Sequence, residues 1–123
     1  MSRALNDLDP ALHQAVFEML ARFTEQTIAV CIVDTLRTPE EHAQNLATGH
    51  SWTKHSKHLP NERGKSMAID VCPYSTYLLH GADKLQWDAK DPVWQKMGEI
   101  GESVGLKWGG RWPKRDLGHF EMG

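Results

Sequence analysis

The stretch Met67-Ala68-Ile69-Asp70-Val71-Cys72 decides the fold class. Its alternation puts Ala68, Asp70 and Cys72 on one face of a strand and Met67, Ile69 and Val71 on the other. An aspartate between Ile69 and Val71 is costly to bury unless it is paired, hydrogen-bonded or bound to a metal, so this strand carries a group that needs a partner. Upstream, residues 27–34 (TIAVCIVD) are rich in β-branched side chains and predict a second, buried strand whose end delivers Thr35, Leu36 and Arg37 to a loop or rim.

Helices flank these strands. Asp9-Pro10 reads as a cap followed by proline at the first helical position, with Leu12, Val16, Leu20 and Phe23 inward. Thr38 caps a short helix over residues 39–46 that closes near Gly49. Asp91-Pro92 repeats the opening signal for a helix with Val93, Trp94, Met97, Ile100 and Val104 inward, closed by Gly105. Short strands over residues 106–108 and 118–122 finish the chain. The order predicts an α+β fold: a small, largely antiparallel sheet with helices packed on one side. Between residues 49 and 66 periodicity is absent and turn formers abound, and long loops in small domains tend to be functional.

Size and charge narrow the function. A chain of 123 residues fits a single domain over residues 1–123. With 40% hydrophobic and 24% charged residues it reads as an ordinary globular protein. A net charge of -2, with both signs interspersed, supplies no field for nucleic acid or an anionic membrane. No apolar run is long enough for membrane insertion, and MSRALNDLDP lacks the apolar core of a signal peptide, which predicts synthesis in the cytoplasm. A monomer is expected. Cys31 and Cys72 lie in apolar runs and read as buried thiols rather than a disulfide.

Three separated pieces could carry chemistry: Ser56-Lys57-His58, Ala68-Ile69-Asp70 and Asp116-Leu117-Gly118-His119. A catalytic zinc takes three protein ligands and leaves a fourth position for water, so the two histidines and one aspartate of these pieces would complete its set and the remaining carboxylate would be free to handle protons, although none of the spacings is diagnostic by itself. His42, His50, His55 and His80 are expected to be exposed, with His55 a rival to His58. Trp94 reads as core. Trp108 and Trp112 flank Gly109-Gly110-Arg111 and could line a substrate cleft, although packing is the more usual role for such side chains.

At this level the sequence resembles the zinc peptidases that include D-alanyl-D-alanine carboxypeptidases and dipeptidases and the phage L-alanyl-D-glutamate endopeptidases used as endolysins. The likeness runs from about Ile28 to the C-terminus. Ser56, His58, Ala68 and Asp70 match the family's Ser-x-His and Ala-x-Asp, and Asp116 and His119 match its terminal acid-x-x-His. Arg37, Thr38 and Gln44 match an Arg-Thr with a later Gln, and Ile69 to Tyr74 looks like the endolysin branch.

The resemblance implies a hedgehog/DD-peptidase-like fold and Zn2+ on His58, Asp70 and His119. It implies Asp116 as the group that takes a proton from zinc-activated water, and Arg37 polarising the scissile carbonyl. Arg37, Gln44, Ser56 and Trp108 would touch substrate, the peptidoglycan stem peptide. The implied activity is cleavage of the L-alanyl-D-glutamate bond by an endolysin held in the cytoplasm of the infected host until release. A D,D-carboxypeptidase or dipeptidase, and a non-catalytic zinc-binding wall module, stay open beside it. Departures are the stretch LPNERGKS after His58, expected to bulge as a loop, and Ser66 where the family carries glycine. Glu121, two residues beyond His119, could orient a ligand imidazole.

Overall fold

Asp9 opens the first helix as predicted: its carboxylate accepts the Ala11 N–H at 2.9 Å, and Pro10 leads α1 (Pro10–Glu25). The computed structural model describes residues 2–49, 56–74, 85 and 87–123, so His50, Trp52, His55 and His80 lie outside the described residues. Among the described residues a 3-10 turn at Leu5–Asp7 precedes α1, and β1 (Val30–Asp34), α2 (Pro39–Ala47), β2 (Ala68–Pro73) and α3 (Val93–Ser103) follow it. The chain ends with β3 (Leu106–Trp108), a 3-10 turn at Gly109–Arg111 and β4 (His119–Met122).

The four strands form one antiparallel sheet in the order β1-β2-β4-β3. Register sorts its two faces. Ile32 lies opposite Val71, Ile69 opposite Phe120, and Phe120 opposite Trp108, and these side chains join Leu12, Val16, Met19 and Phe23 of α1 and Trp94 and Met97 of α3 in the core. The other face carries Asp70 opposite His119, and Ala68 opposite Glu121. Thus the strand that decides the fold also sends its one carboxylate away from the helices, towards the functional face.

The strand expected over residues 27–34 is shorter and less buried than predicted. Thr27 takes φ of 57° and ends α1: the Ile28 N–H reaches back to the Phe23 carbonyl (2.8 Å) and Thr27 N–H to Thr24 (3.0 Å). This is a Schellman cap with threonine in the left-handed position, so the β-branched pair Thr27-Ile28 serves the helix end rather than the strand. The remaining strand lies at a sheet edge and is half-buried, because only one neighbour covers it.

In α3 the inner face holds two glycines that the apolar pattern does not flag. A Cβ on Gly98 would lie 2.2 Å from the Trp108 ring, and one on Gly101 would lie 2.3 Å from Phe120. Helix and sheet therefore approach closely enough for Trp108 and Phe120 to fill the gap that side chains would occupy.

The segment expected to bulge instead packs back on the N-terminus. Asn61 and Arg63 each bond the buried Asp9 carboxylate at 2.7 Å, and backbone bonds of 2.8 Å join Ser66 to Asp7 and Asp9. The Ala11 N–H, then Asn61 and Arg63, hold Asp9 down at a pKa of about 2. The insertion thus ties the start of α1 to the strand that carries Asp70, while α2 is closed at its front by a complete capping box between Thr38 and Glu41.

Candidate metal centre

Three donors from three segments meet on the open face of the sheet. His58 stands in a turn whose geometry Ser56 holds, its hydroxyl accepting the His58 N–H at 3.1 Å. Asp70 comes from β2 and His119 from β4, directly opposite it in register. His58 Nε2 lies 3.2 Å from both Asp70 Oδ1 and His119 Nδ1, and His119 Nδ1 lies 2.9 Å from Asp70 Oδ1. Donors about 2.0 Å from one tetrahedral ion would be about 3.3 Å apart, so the set needs only slight opening to bind one.

The outer atoms of both rings decide what the inner atoms are. His58 Nδ1–H donates to the Thr35 carbonyl at 2.8 Å, and His119 Nε2–H donates to Glu121 at 2.8 Å. A carbonyl and a carboxylate can only accept, which leaves His58 Nε2 and His119 Nδ1 to present lone pairs inward at the Asp70 carboxylate. Three electron-rich atoms at about 3 Å repel one another unless a cation sits among them. The residues present therefore fit a divalent metal by the chemistry of the donor set, and among the described residues this is the group that could hold one.

Titration behaviour agrees. Burial pulls the His119 imidazolium pKa down, but bonds to Asp70 and Glu121 outweigh it and raise the value to about 10. Burial would lift the Asp70 pKa, yet the His58 and His119 rings hold it well below the carboxylate range. Asp116 moves the opposite way: burial, and then the charge of Asp70, push its pKa up against the pull of His119, His58 and Arg37. Its carboxylate stands 3.9 Å from His119 Nδ1, beside the cluster and outside the converging three. Gly109 makes that place available, since a Cβ there would meet the Asp116 carbonyl at 2.5 Å.

Residues 49–122, more than half of the chain, match a family model described as D-alanyl-D-alanine carboxypeptidase. The chain belongs to this peptidase family. It is accordingly a metallopeptidase, and the matched span contains all three donors and Asp116. No curated protein matches the sequence. Among solved structures, the L-Ala D-Glu endopeptidase ChiX of Serratia marcescens is similar over 97% of this chain and 83% of its own, with 19% identity and a TM-score of 0.73. At that identity the likeness establishes the shared α+β fold.

The other residues singled out in this peptidase fall in different places. Arg37 is buried, with its guanidinium 2.6 Å from Asp34 and 3.2 Å from His42 Nδ1, and its backbone N–H bonds the His58 carbonyl. His42, expected to be exposed, is only 3% exposed because it packs on this guanidinium. Gln44 is on the exposed side of α2, and none of the contacts described brings its side chain to the cluster. Ser56 shapes the His58 turn.

Trp108 corrects an expectation. It is 2% exposed, held between Gly98 and Gly110, with its indole N–H on the Leu117 carbonyl (2.8 Å), so it fills the core and cannot line a cleft. The aromatic beside the metal donors is Trp112, whose ring centroid lies 4.9 Å from that of His119. Sequence reasoning also missed Asp34, and it placed Thr35 at the strand's end without a role for its carbonyl. The carbonyl of Thr35 carries no sequence signal, but a carboxylate within an apolar strand, the signal used at Asp70, was also present at Asp34.

Proposed function

We propose that this chain is a zinc-dependent peptidoglycan endopeptidase that cleaves the L-alanyl-D-glutamate bond of the stem peptide. The observation that carries the metal reading is the inward convergence of His58 Nε2, Asp70 Oδ1 and His119 Nδ1, with both outer ring nitrogens already occupied. Bound there, zinc would supply Lewis-acid polarisation and acidify a water molecule at neutral pH.

The chain's own residues do the rest. Asp116, at 37% side-chain exposure, is open to substrate yet shielded enough that burial makes it a stronger base than a free aspartate. It takes the proton of the attacking water and returns it to the leaving amine. Glu121 and the Thr35 carbonyl hold the two imidazoles in the ligating tautomer. Arg37 contributes a permanent positive charge near the reacting carbonyl, through a guanidinium kept in place by Asp34.

The choice of bond, the wall substrate and a lytic role as a phage endolysin, awaiting release from the host cytoplasm as a monomer, are supported by the sequence resemblance. The fold shared with an L-Ala D-Glu endopeptidase agrees with the bond. No described helix is long and apolar enough to cross a membrane. Digestion of purified peptidoglycan tests the reading: new D-glutamate amino termini, lost with a chelator and restored by zinc, are expected. Release of free D-alanine would assign a carboxypeptidase instead, and an inert wall would leave a binding module.

A further inference from the structure

A β-bulge gives Asp34 a place that regular pairing would deny it. Ile32 lies opposite Val71, and the next residue pair in β2, Asp70, is matched by Asp34, with Val33 as the extra residue. Uninterrupted pairing would set Val33 opposite Asp70 and turn Asp34 to the face that packs on the helices. The bulge moves its side chain to the face that carries the metal donors.

There the Asp34 carboxylate is 1% exposed. Its Oδ2 lies 2.6 Å from the Arg37 guanidinium and 3.8 Å from His58 Nδ1. Its Oδ1 is buried with no hydrogen-bond partner among the described residues. A half-satisfied buried carboxylate is expensive, and the bulge puts it there although a regular strand would not. The segment that follows it grips His58 twice: the Thr35 carbonyl takes the ring Nδ1–H, and the N–H of Arg37, whose guanidinium Asp34 holds, bonds the His58 carbonyl at 2.9 Å.

We propose that Asp34 is a positioning residue of the metal centre: its buried charge, fixed by Arg37, favours the Nδ1–H form of His58 from behind and so presents Nε2 to the ion. The proposal rests on the metal reading above, but its action is on a ring of this chain and can be read without metal. Carboxylates behind a ligating histidine orient the ring and raise its basicity, and their loss weakens metal binding about 10- to 100-fold.

The test compares two buried carboxylates that each pair with an arginine. In the full chain, Asp34→Asn is expected to lower zinc affinity at least about tenfold in competition with a chelating dye. Nitrogen NMR of the metal-free protein should show His58 losing its pure Nδ1–H form while His119 is unchanged. Asp9→Asn, which keeps a capping oxygen for α1 but removes the buried charge that Arg63 pairs, should lower the melting temperature and leave zinc affinity alone. If Asp34→Asn fails to fold, Asp34→Asn with Arg37→Met removes both buried charges and should show the same loss. Zinc affinity within twofold of wild type in a folded Asp34 variant, or an unchanged His58 tautomer, overturns the proposal. A wild type that binds no zinc overturns the metal reading instead, and the His58 tautomer then decides for Asp34.

Discussion

Asp116→Asn retains zinc at the wild-type level and loses turnover on peptidoglycan by about a hundred- to ten-thousand-fold, the range set by a general base. The expectation follows from where Asp116 stands. Its carboxylate is 3.9 Å from His119 Nδ1, while the three converging donors lie about 3 Å from one another. It is the acidic group whose pKa burial and Asp70 raise, whereas those of Asp70 and Glu121 are lowered. Asparagine preserves shape and the backbone bond to the Gly109 carbonyl but cannot accept a proton. Zinc content and turnover measured on the same sample separate the roles: loss of both would make Asp116 a ligand, and retention of both would remove it from the chemistry.

Gly98→Ala is expected to destabilise the fold by about 3 kcal/mol, the upper end of ordinary overpacking. For a chain of this size that lowers the melting temperature by about ten degrees. Two effects oppose each other here. Alanine is the better helix former by about 0.8–1.0 kcal/mol. Its methyl, however, would lie 2.2 Å from Trp108, whose ring is pinned on the far side by Gly110 and at its N–H by Leu117. Trp108 cannot retreat without moving the segment that carries Asp116 and His119. Thermal unfolding checks the size of the effect, and a melting temperature equal to or above wild type would mean that helix propensity prevails over the clash.

Much of this arrangement was legible in the sequence because it rests on local signals. Asp9-Pro10 and Thr38-Pro39 specify helix starts through their own side chains, and alternation in residues 67–72 fixes which face Asp70 takes. His58, Asp70 and His119 could be paired only through the resemblance, since nothing local says that residues so far apart converge. What stayed hidden depends on tertiary contact. Trp108 is core because Gly98, across the interface of helix and sheet, and its near neighbour Gly110 admit its ring, while Thr27 caps α1 although a β-branched side chain disfavours its left-handed position. Asp34 faces the metal donors because of a bulge, and its meaning appears only once β1 and β2 are aligned. The insertion after His58 reads as a free loop until Asn61 and Arg63 are seen on Asp9.

The most direct measurement is the zinc content of purified protein, by elemental mass spectrometry, for wild type and for His58→Ala, Asp70→Ala and His119→Ala. Each variant removes one of three converging donors and leaves two, which do not complete a catalytic zinc site. The account predicts one zinc per wild-type chain and far less in each variant, with circular dichroism unchanged. A wild type without bound zinc, or variants that keep a full complement, would contradict it.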